Sequence, residues 1–340
     1  MSKPPTSWRD LNPRRLNQVA REVLRNFGLT DANLFAISQS ENRVWKVFAG
    51  GERFVLRCHR PSLFESASLP APDRREIESE LQWLRFLKGR VSFEIPDARV
   101  SVGGESVLST QWDESIDLHW SLLRWIPGRQ LRKSLRPGHM TVVGGMMGEL
   151  HSLQTSPDHP ELKRPSWDRA RMDRAIAELE PLHAEGVLDA KSWSTICRMR
   201  DHVALVMKRL SVQENPLRLI HADIHPGNLL FVRNRVSLID FSSCGFGYRA
   251  FDIAQLLMMA PDDTYWEAFW EGYGSEDSRT GVLSADARAF TGYCVLLWLN
   301  YNAPSRLQRI RSRIPRVMKR VLSMMGLEDS DNLRTPSPSS

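Results

Sequence analysis

From about residue 131 onward the sequence is written mainly for helices, and one short stretch breaks the pattern. Residues 229–232 and 236–239 are two apolar runs joined by Arg233-Asn-Arg, the length of a tight β-hairpin. A two-stranded hairpin is marginal alone, so the helices around it must cover it. A hairpin also returns the chain to its starting end. Asn228, just before the first strand, and Asp240, just after the second, are therefore expected side by side. Asp223 precedes Asn228 by five residues, in a loop of turn formers (Asp-Ile-His-Pro-Gly-Asn) that follows a short apolar strand. One amide oxygen and a carboxylate would meet at one mouth, with a second carboxylate offset beside them.

The first third of the chain has a different character. Runs at 34–38, 43–48 and 53–58 are short and rich in β-branched or aromatic residues, and Ala49-Gly-Gly-Glu52 separates the last two as a turn. A helical pattern follows through Ile77, Leu81 and Leu84, then strand-like stretches at 98–102, 106–112 and 118–126. Pro127-Gly128 ends this region. Helical periods return at 140–153, 167–184 and 191–210 and in several segments after Asp252. The expected class is α+β, two-lobed. Residues 1–33 form an N-terminal helical extension, 34–126 a small β-rich lobe, 127–326 a larger mainly helical lobe, and 327–340 a disordered tail. A cleft between two lobes is a usual place for a ligand.

Composition narrows the class. At 340 residues the chain is long enough for about two domains, and 41% apolar with 25% charged residues is ordinary globular usage. There is no run of about 18 consecutive apolar residues, which argues against a membrane-spanning helix. The start, Met-Ser-Lys-Pro-Pro, lacks an apolar stretch behind its charge, so no secretory signal is expected. Cys58, Cys197, Cys244 and Cys294 are far apart with no Cys-x-x-Cys pair, which fits a reducing cytoplasm better than a disulfide or zinc framework. The net charge of +6 has one concentrated source: seven Lys/Arg and no acid between Arg306 and Arg320, with apolar residues at helical spacing and Pro315 expected to kink or divide that helix. The plainer reading is a solvated basic face. Contact with phosphate, nucleic acid or an acidic partner is the other.

Hard oxygen ligands on two adjacent strand ends suit magnesium, which keeps waters and takes substrate phosphates as its remaining ligands. Asp223 is placed to accept a proton from a hydroxyl nucleophile. Each residue alone has an ordinary explanation as a turn or cap, and His221 alone reads as structural. The joint pattern, His-x-Asp-x-x-x-x-Asn and then Asp-Phe after an apolar hairpin, is far more specific.

The pattern resembles the catalytic loop and metal-binding aspartate of the eukaryotic-like kinases. It is closest to the branch of aminoglycoside phosphotransferases, choline kinases and type II homoserine kinases. His221-Ala-Asp223-Ile-His225-Pro-Gly-Asn228 and Ile239-Asp240-Phe241 match that branch, with Ala222 in place of its usual glycine and Ser242 where protein kinases carry one. Arg249-Ala-Phe-Asp252-Ile-Ala resembles the family's Asp-Leu-Ala segment, whose aspartate supports the catalytic loop. No Ala-Pro-Glu segment follows, so no regulated activation loop is expected. In the small lobe, Ser40-Glu-Asn42-Arg43, Arg53-Phe-Val-Leu-Arg57 and Ser79-Glu80-Leu81 resemble the bacterial stress response kinase A type.

The resemblance implies a two-lobed kinase-like fold, ATP as phosphoryl donor and Mg2+ held by Asn228 and Asp240. Asp223 would be the catalytic residue. Ser40 and Asn42 would lie in the loop over the phosphates, Arg57 would contact the phosphates and pair with Glu80, and backbone groups near Leu123 to Trp125 would meet the adenine edge. The loop lacks Gly-x-Gly-x-x-Gly, and Arg57 stands where a lysine is usual. Strand alternation still points it with Val55. The plainer reading of Arg57 and Glu80 is a surface ion pair. His151, in a Leu-His signature, reads as packing.

The expected reaction is transfer of the ATP γ-phosphoryl group to a hydroxyl. A small-molecule acceptor is favoured over Ser/Thr on a protein, with a nucleotide-binding pseudokinase scaffold as the reading from another class. No membrane partner is expected, and a nucleic-acid partner ranks last. Asp262, Asp263, Trp266, Glu267, Trp270 and Glu271 form an acidic and aromatic group that could bind a cation; a solvated helix with its aromatics packed inward is the plainer alternative. Apart from resemblance, the residues support a two-lobed protein that handles magnesium and phosphate.

Overall fold

A computed structural model describes residues 11–39, 42–61, 64, 66–68, 71–131, 134–153, 161–213, 217–260, 262–274, 281–302 and 310–327. Ser40 and the 328–340 part of the tail lie outside the described residues, as does the 306–309 part of the basic stretch.

The first helix, α1 (Pro13–Asn26), is capped by Asn12, whose side chain accepts from the Arg14 and Arg15 amides. Strands β1 (Asn33–Gln39), β2 (Arg43–Ala49) and β3 (Glu52–Cys58) follow as an antiparallel meander, paired Ala36 with Trp45 and Lys46 with Val55. Next come α2 (Arg74–Leu87), opened by an Asp73–Glu76 capping box, and β4 (Ala98–Arg99), β5 (Leu108–Gln111) and β6 (Asp117–Arg124). Strand β6 pairs with β3 on one side and with β4 and β5 on the other.

Alternation sorts this sheet into two faces. Trp45, Val47, Phe54, Leu56, Trp120 and Leu122 pack against Leu16, Ala20, Val23 and Leu24 of α1, so the N-terminal helix closes one face of the small lobe. The opposite face, carrying Val55, Arg57 and Ser121, is left for the cleft. The strand expected at 98–102 shrinks to two residues. Beyond it Val100 and Val102 are exposed, Gly103-Gly104 turns the chain, and the Ser101 and Val102 amides bond outside the sheet, to the Glu105 and Asn26 carbonyls.

The larger lobe begins with α3 (Pro137–Ser152). It continues through β7 (Ser166–Trp167), α4 (Arg169–Ala184), α5 (Ala190–Leu210) and β8 (Arg218–Ile220) to the hairpin β9 (Leu229–Val232) and β10 (Arg235–Leu238). A 3-10 turn (Phe241–Ser243) leads to β11 (Gly245–Gly247), then α6 (Arg249–Leu257), α7 (Asp263–Tyr273), α8 (Val282–Asn302) and α9 (Ile314–Met324). Strand β11 sits between β7 and β8 in a small sheet; β8 is the short apolar strand expected before the Asp223 loop, while β7 and β11 were not expected.

By length and composition α8 could cross a membrane. Here it is the central helix of this lobe, packed by α4, α5, α6 and α9. Helix α9 starts at Ile314 with Pro315 in its first turn, where the missing N–H costs nothing, and a 3-10 turn (Arg311–Arg313) precedes it. Ile314, Met318 and Val321 face inward while Arg316 and Lys319 are exposed, as a solvated basic face requires.

Candidate active site

The site is built around one buried carboxylate. Asp252, in the first turn of α6, is fully buried and accepts the His221 amide at 2.9 Å and the Ala222 amide at 2.7 Å. His151 lies 3.2 Å from the same carboxylate and 2.9 Å from the Tyr273 hydroxyl, so it is a packed link between α3, α6 and α7. Gln255, one turn along α6, receives the Ile224 amide and donates to the Ala222 carbonyl. This cradle holds Ala222 at φ +60°, in the left-handed region. A glycine takes that conformation freely; an alanine pays for its Cβ there.

His221 spans to the hairpin. Its Nδ1 accepts the Asp223 amide at 3.2 Å, so the proton lies on Nε2, which donates to the Ile239 carbonyl at 3.1 Å. The loop and the metal-side strand are thereby fixed to each other. At the open end of the hairpin the Ile239 amide donates to the Asn228 carbonyl, which sets Asn228 beside Asp240. Asn228 Nδ2 donates to both the Asp223 carbonyl and Asp223 Oδ2, each at 2.9 Å. A flipped amide would face oxygen with oxygen, so the network assigns Oδ1 as the outward acceptor. Asp240 sits at φ +63°, and its Oδ1 accepts from Ser242 Oγ at 2.8 Å.

Arg57 reaches the same place from the small lobe. Its Nη2 donates to Glu80 at 2.7 Å, its Nε lies 3.4 Å from Ser121 Oγ, and its Nη1 is 3.9 Å from Asp240 Oδ1. The Arg57 and Glu80 side chains are 5% and 0% exposed, so this is a buried pair and the surface-pair reading fails. Burial of such a pair is costly unless the geometry is good, and removing one partner strands the other.

The remaining sequence candidates are placed differently. Asn42 is buried, and its Oδ1 accepts the Arg60 amide, which ties the start of β2 to the segment after β3. Leu123 lies in the sheet opposite Val55 and Ala98. The Trp125 amide donates to Arg53 and the Arg124 amide to Asp97, so neither is free for a base edge. The Trp125 ring instead lies 4.3 Å from Lys46 Nζ.

The acidic and aromatic group of α7 also divides. Asp262, Asp263, Glu267 and Glu271 are exposed, while Trp266 and Phe269 are buried and stacked. The helix is an ordinary amphipathic one. A concavity of about 770 Å3 lined by Phe93, Pro127, Met146, Glu149 and Val236 shares no residue with the polar cluster.

The sequence reading missed Gln130, whose Nε2 donates to the Gly227 carbonyl at 2.5 Å, and Gln255. It also missed Arg164, which ties the loop after Asp240 to α2. None of these stands in a motif; each is defined by backbone groups far away in sequence.

The donor set suits a hard cation. Asn228 Oδ1 and the Asp240 carboxylate are oxygens, and Asp240 keeps 40% of its side chain exposed. Among the described residues no three His, Cys, Asp or Glu gather as a metal cage.

Known proteins carry the same arrangement of elements. A family profile, that of the phosphotransferase enzyme family, matches residues 34–283. Human choline/ethanolamine kinase is 25% identical over 224 residues, 64% of this chain and 54% of that protein, so the chain spans about half of that relative. A microcompartment-associated aminopropanol kinase superposes with a TM-score of 0.72 at 21% identity, covering 92% of this chain and 99% of that one. An amicoumacin kinase in complex with AMP-PNP, Ca2+ and Ami superposes with a TM-score of 0.67 at 17% identity, over 93% and 94% of the two chains. These likenesses show a two-lobed kinase-like fold. With the profile covering most of its length and the loop and hairpin in place, the chain belongs to the phosphotransferase enzyme family.

Proposed function

We propose that the protein is an ATP- and magnesium-dependent phosphotransferase that moves the γ-phosphoryl group to a hydroxyl of a small molecule. The observation that carries this reading is the meeting of Asp223, Asn228 and Asp240 at one hairpin mouth, with Arg57 of the other lobe 3.9 Å from Asp240. Asn228 Oδ1 and Asp240 would hold Mg2+, which when bound neutralises phosphate charge. Arg57, buried against Glu80, presents a fixed cation to the phosphates. Asp223 orients the acceptor hydroxyl and takes its proton, held in place by Asn228 Nδ2. Little covalent chemistry is asked of the protein; positioning and charge do the work.

The relatives' names support one acceptor class. Choline, ethanolamine and aminopropanol are alcohols that carry a nitrogen cation, so an amino alcohol is the first class to test. Protein Ser/Thr is the less favoured acceptor.

The test uses γ-labelled ATP and Mg2+ with wild type and Asp223→Asn, each supplied with a small-molecule fraction and a desalted protein fraction. Label in the small-molecule fraction with wild type only is the expected result. Asp223→Asn should keep ATP binding and lose roughly 100- to 10,000-fold in transfer. Label on protein would replace the small-molecule reading. ATP binding without any transfer would favour a nucleotide-binding scaffold.

A further inference from the structure

Arg164 lies in a stretch with no motif, before β7, and is 6% exposed. All three of its guanidinium nitrogens are used. Nε donates to the Cys244 carbonyl at 2.6 Å, Nη2 to the Ser242 carbonyl at 2.7 Å and Nη1 to the Glu76 carbonyl at 2.7 Å. Ser242 and Cys244 follow Asp240 by two and four residues. Glu76 lies one turn before Glu80 on the same face of α2. One buried group thus joins the loop bearing a candidate metal ligand to the helix that pairs with Arg57.

The neighbours of Arg164 reinforce the tie. The Lys163 amide donates to Ser79 Oγ of α2, the Phe246 amide to the Pro165 carbonyl, and Trp167 Nε1 to the Ser243 carbonyl. The loop they grip has little regular pairing of its own: a left-handed Asp240, a single 3-10 turn and a three-residue strand. Outside partners therefore help to set where the segment after Asp240 lies. A planar fork with three donor nitrogens fits three carbonyls, whereas a lysine ammonium is a single point on a flexible stem. Burying a cation without a carboxylate in contact is expensive unless it is hydrogen-bonded, and here each guanidinium nitrogen donates to a carbonyl.

We propose that Arg164 is a positioning residue for phosphoryl transfer, setting Asp240 at the distance from the Arg57–Glu80 pair that a bound metal–nucleotide requires. It rests on the phosphotransferase reading above and adds a residue that touches neither nucleotide nor metal.

The experiment titrates the full-length protein with a non-hydrolysable ATP analogue, with and without Mg2+, in wild type, Arg164→Ala and Arg164→Lys. Denaturation midpoints are recorded in parallel. In Arg164→Ala the metal-free affinity should stay within about twofold, while the gain on adding Mg2+ should fall by about tenfold or more. Arg164→Lys should lie between, and millimolar guanidinium should restore part of the gain to Arg164→Ala. A general loss of stability would not produce that split or that rescue. An unchanged Mg2+ gain in both variants would overturn the proposal, as would equal loss of metal-free and metal-dependent binding without rescue. If wild type itself shows no Mg2+ gain, the phosphotransferase reading falls and takes this one with it.

Discussion

At the residue scale, Arg57 and Ala222 depart from the family's habit, and the structure gives each a consequence. Arg57 uses three different nitrogens toward Glu80, Ser121 and Asp240. A lysine places one ammonium and cannot serve all three. Arg57→Lys, although it restores the usual residue, should weaken Mg–ATP binding by about tenfold, measured by the same nucleotide titration. Affinity equal to wild type would mean that the fork is not needed. Ala222 is held at φ +60° by Asp252. An alanine there costs about 1–2 kcal/mol, while glycine adds about 0.5–1 kcal/mol of unfolded-chain entropy. Ala222→Gly should therefore stabilise by up to about 1 kcal/mol in urea unfolding. A clear loss of stability would show that the methyl group packs usefully.

At the element scale, the hairpin and the α3–α7 crossing carry the argument. Helices α3 and α7 approach so closely that a Cβ on Gly144 would lie 2.1 Å from the Phe269 carbonyl oxygen, and one on Gly272 would lie 1.8 Å from that of Thr141. The obstacle is backbone, which cannot rotate away. This contact seats Tyr273 against His151, and His151 against Asp252 beneath the 221–228 loop. Gly144→Ala should cost about 2 kcal/mol or more, seen as a lower denaturation midpoint, and should depress activity through the displaced loop. Gly138, near the start of the same helix, has nothing within 4 Å of an added Cβ and serves as the control, with little change expected.

At the scale of the whole molecule, the two lobes share polar ties and part of a core. Residues of α2 belong to the same apolar cluster as the larger lobe, and Arg57 and Arg164 cross between them. His59 stands at this junction, buried, with Nε2 2.8 Å from Ser121 Oγ. Burial, with the charges of Arg57, His119 and Arg164, holds its imidazole well below 6.5. Above about pH 6.5 neither folded nor unfolded chain protonates it. Below that, the unfolded chain takes up the proton and the folded one does not, so stability falls, by at most about 1.4 kcal/mol per pH unit. His119 shifts in the same direction, mainly through burial, and adds to the slope. Thermal midpoints should drop between about pH 7 and pH 5, and His59→Gln should flatten part of that drop. An identical slope in the variant would remove His59 from the account.

The sequence by itself determined what alternation, helical period and a tight turn can specify: the meander of β1 to β3, most helices, and the hairpin that returns Asp240 to Asn228. Those are local properties, because a side chain's face follows from its neighbours within a few residues. Only the tertiary structure decided the rest. The small sheet of β7, β11 and β8 is too short to have a period, and its members come from three distant parts of the chain. Burial of the Arg57–Glu80 pair depends on elements that cover it, not on either residue's flanks. Arg164 is invisible in the sequence because its partners are carbonyls, which every residue carries. Which carbonyls converge on one guanidinium is settled only when the chain is packed.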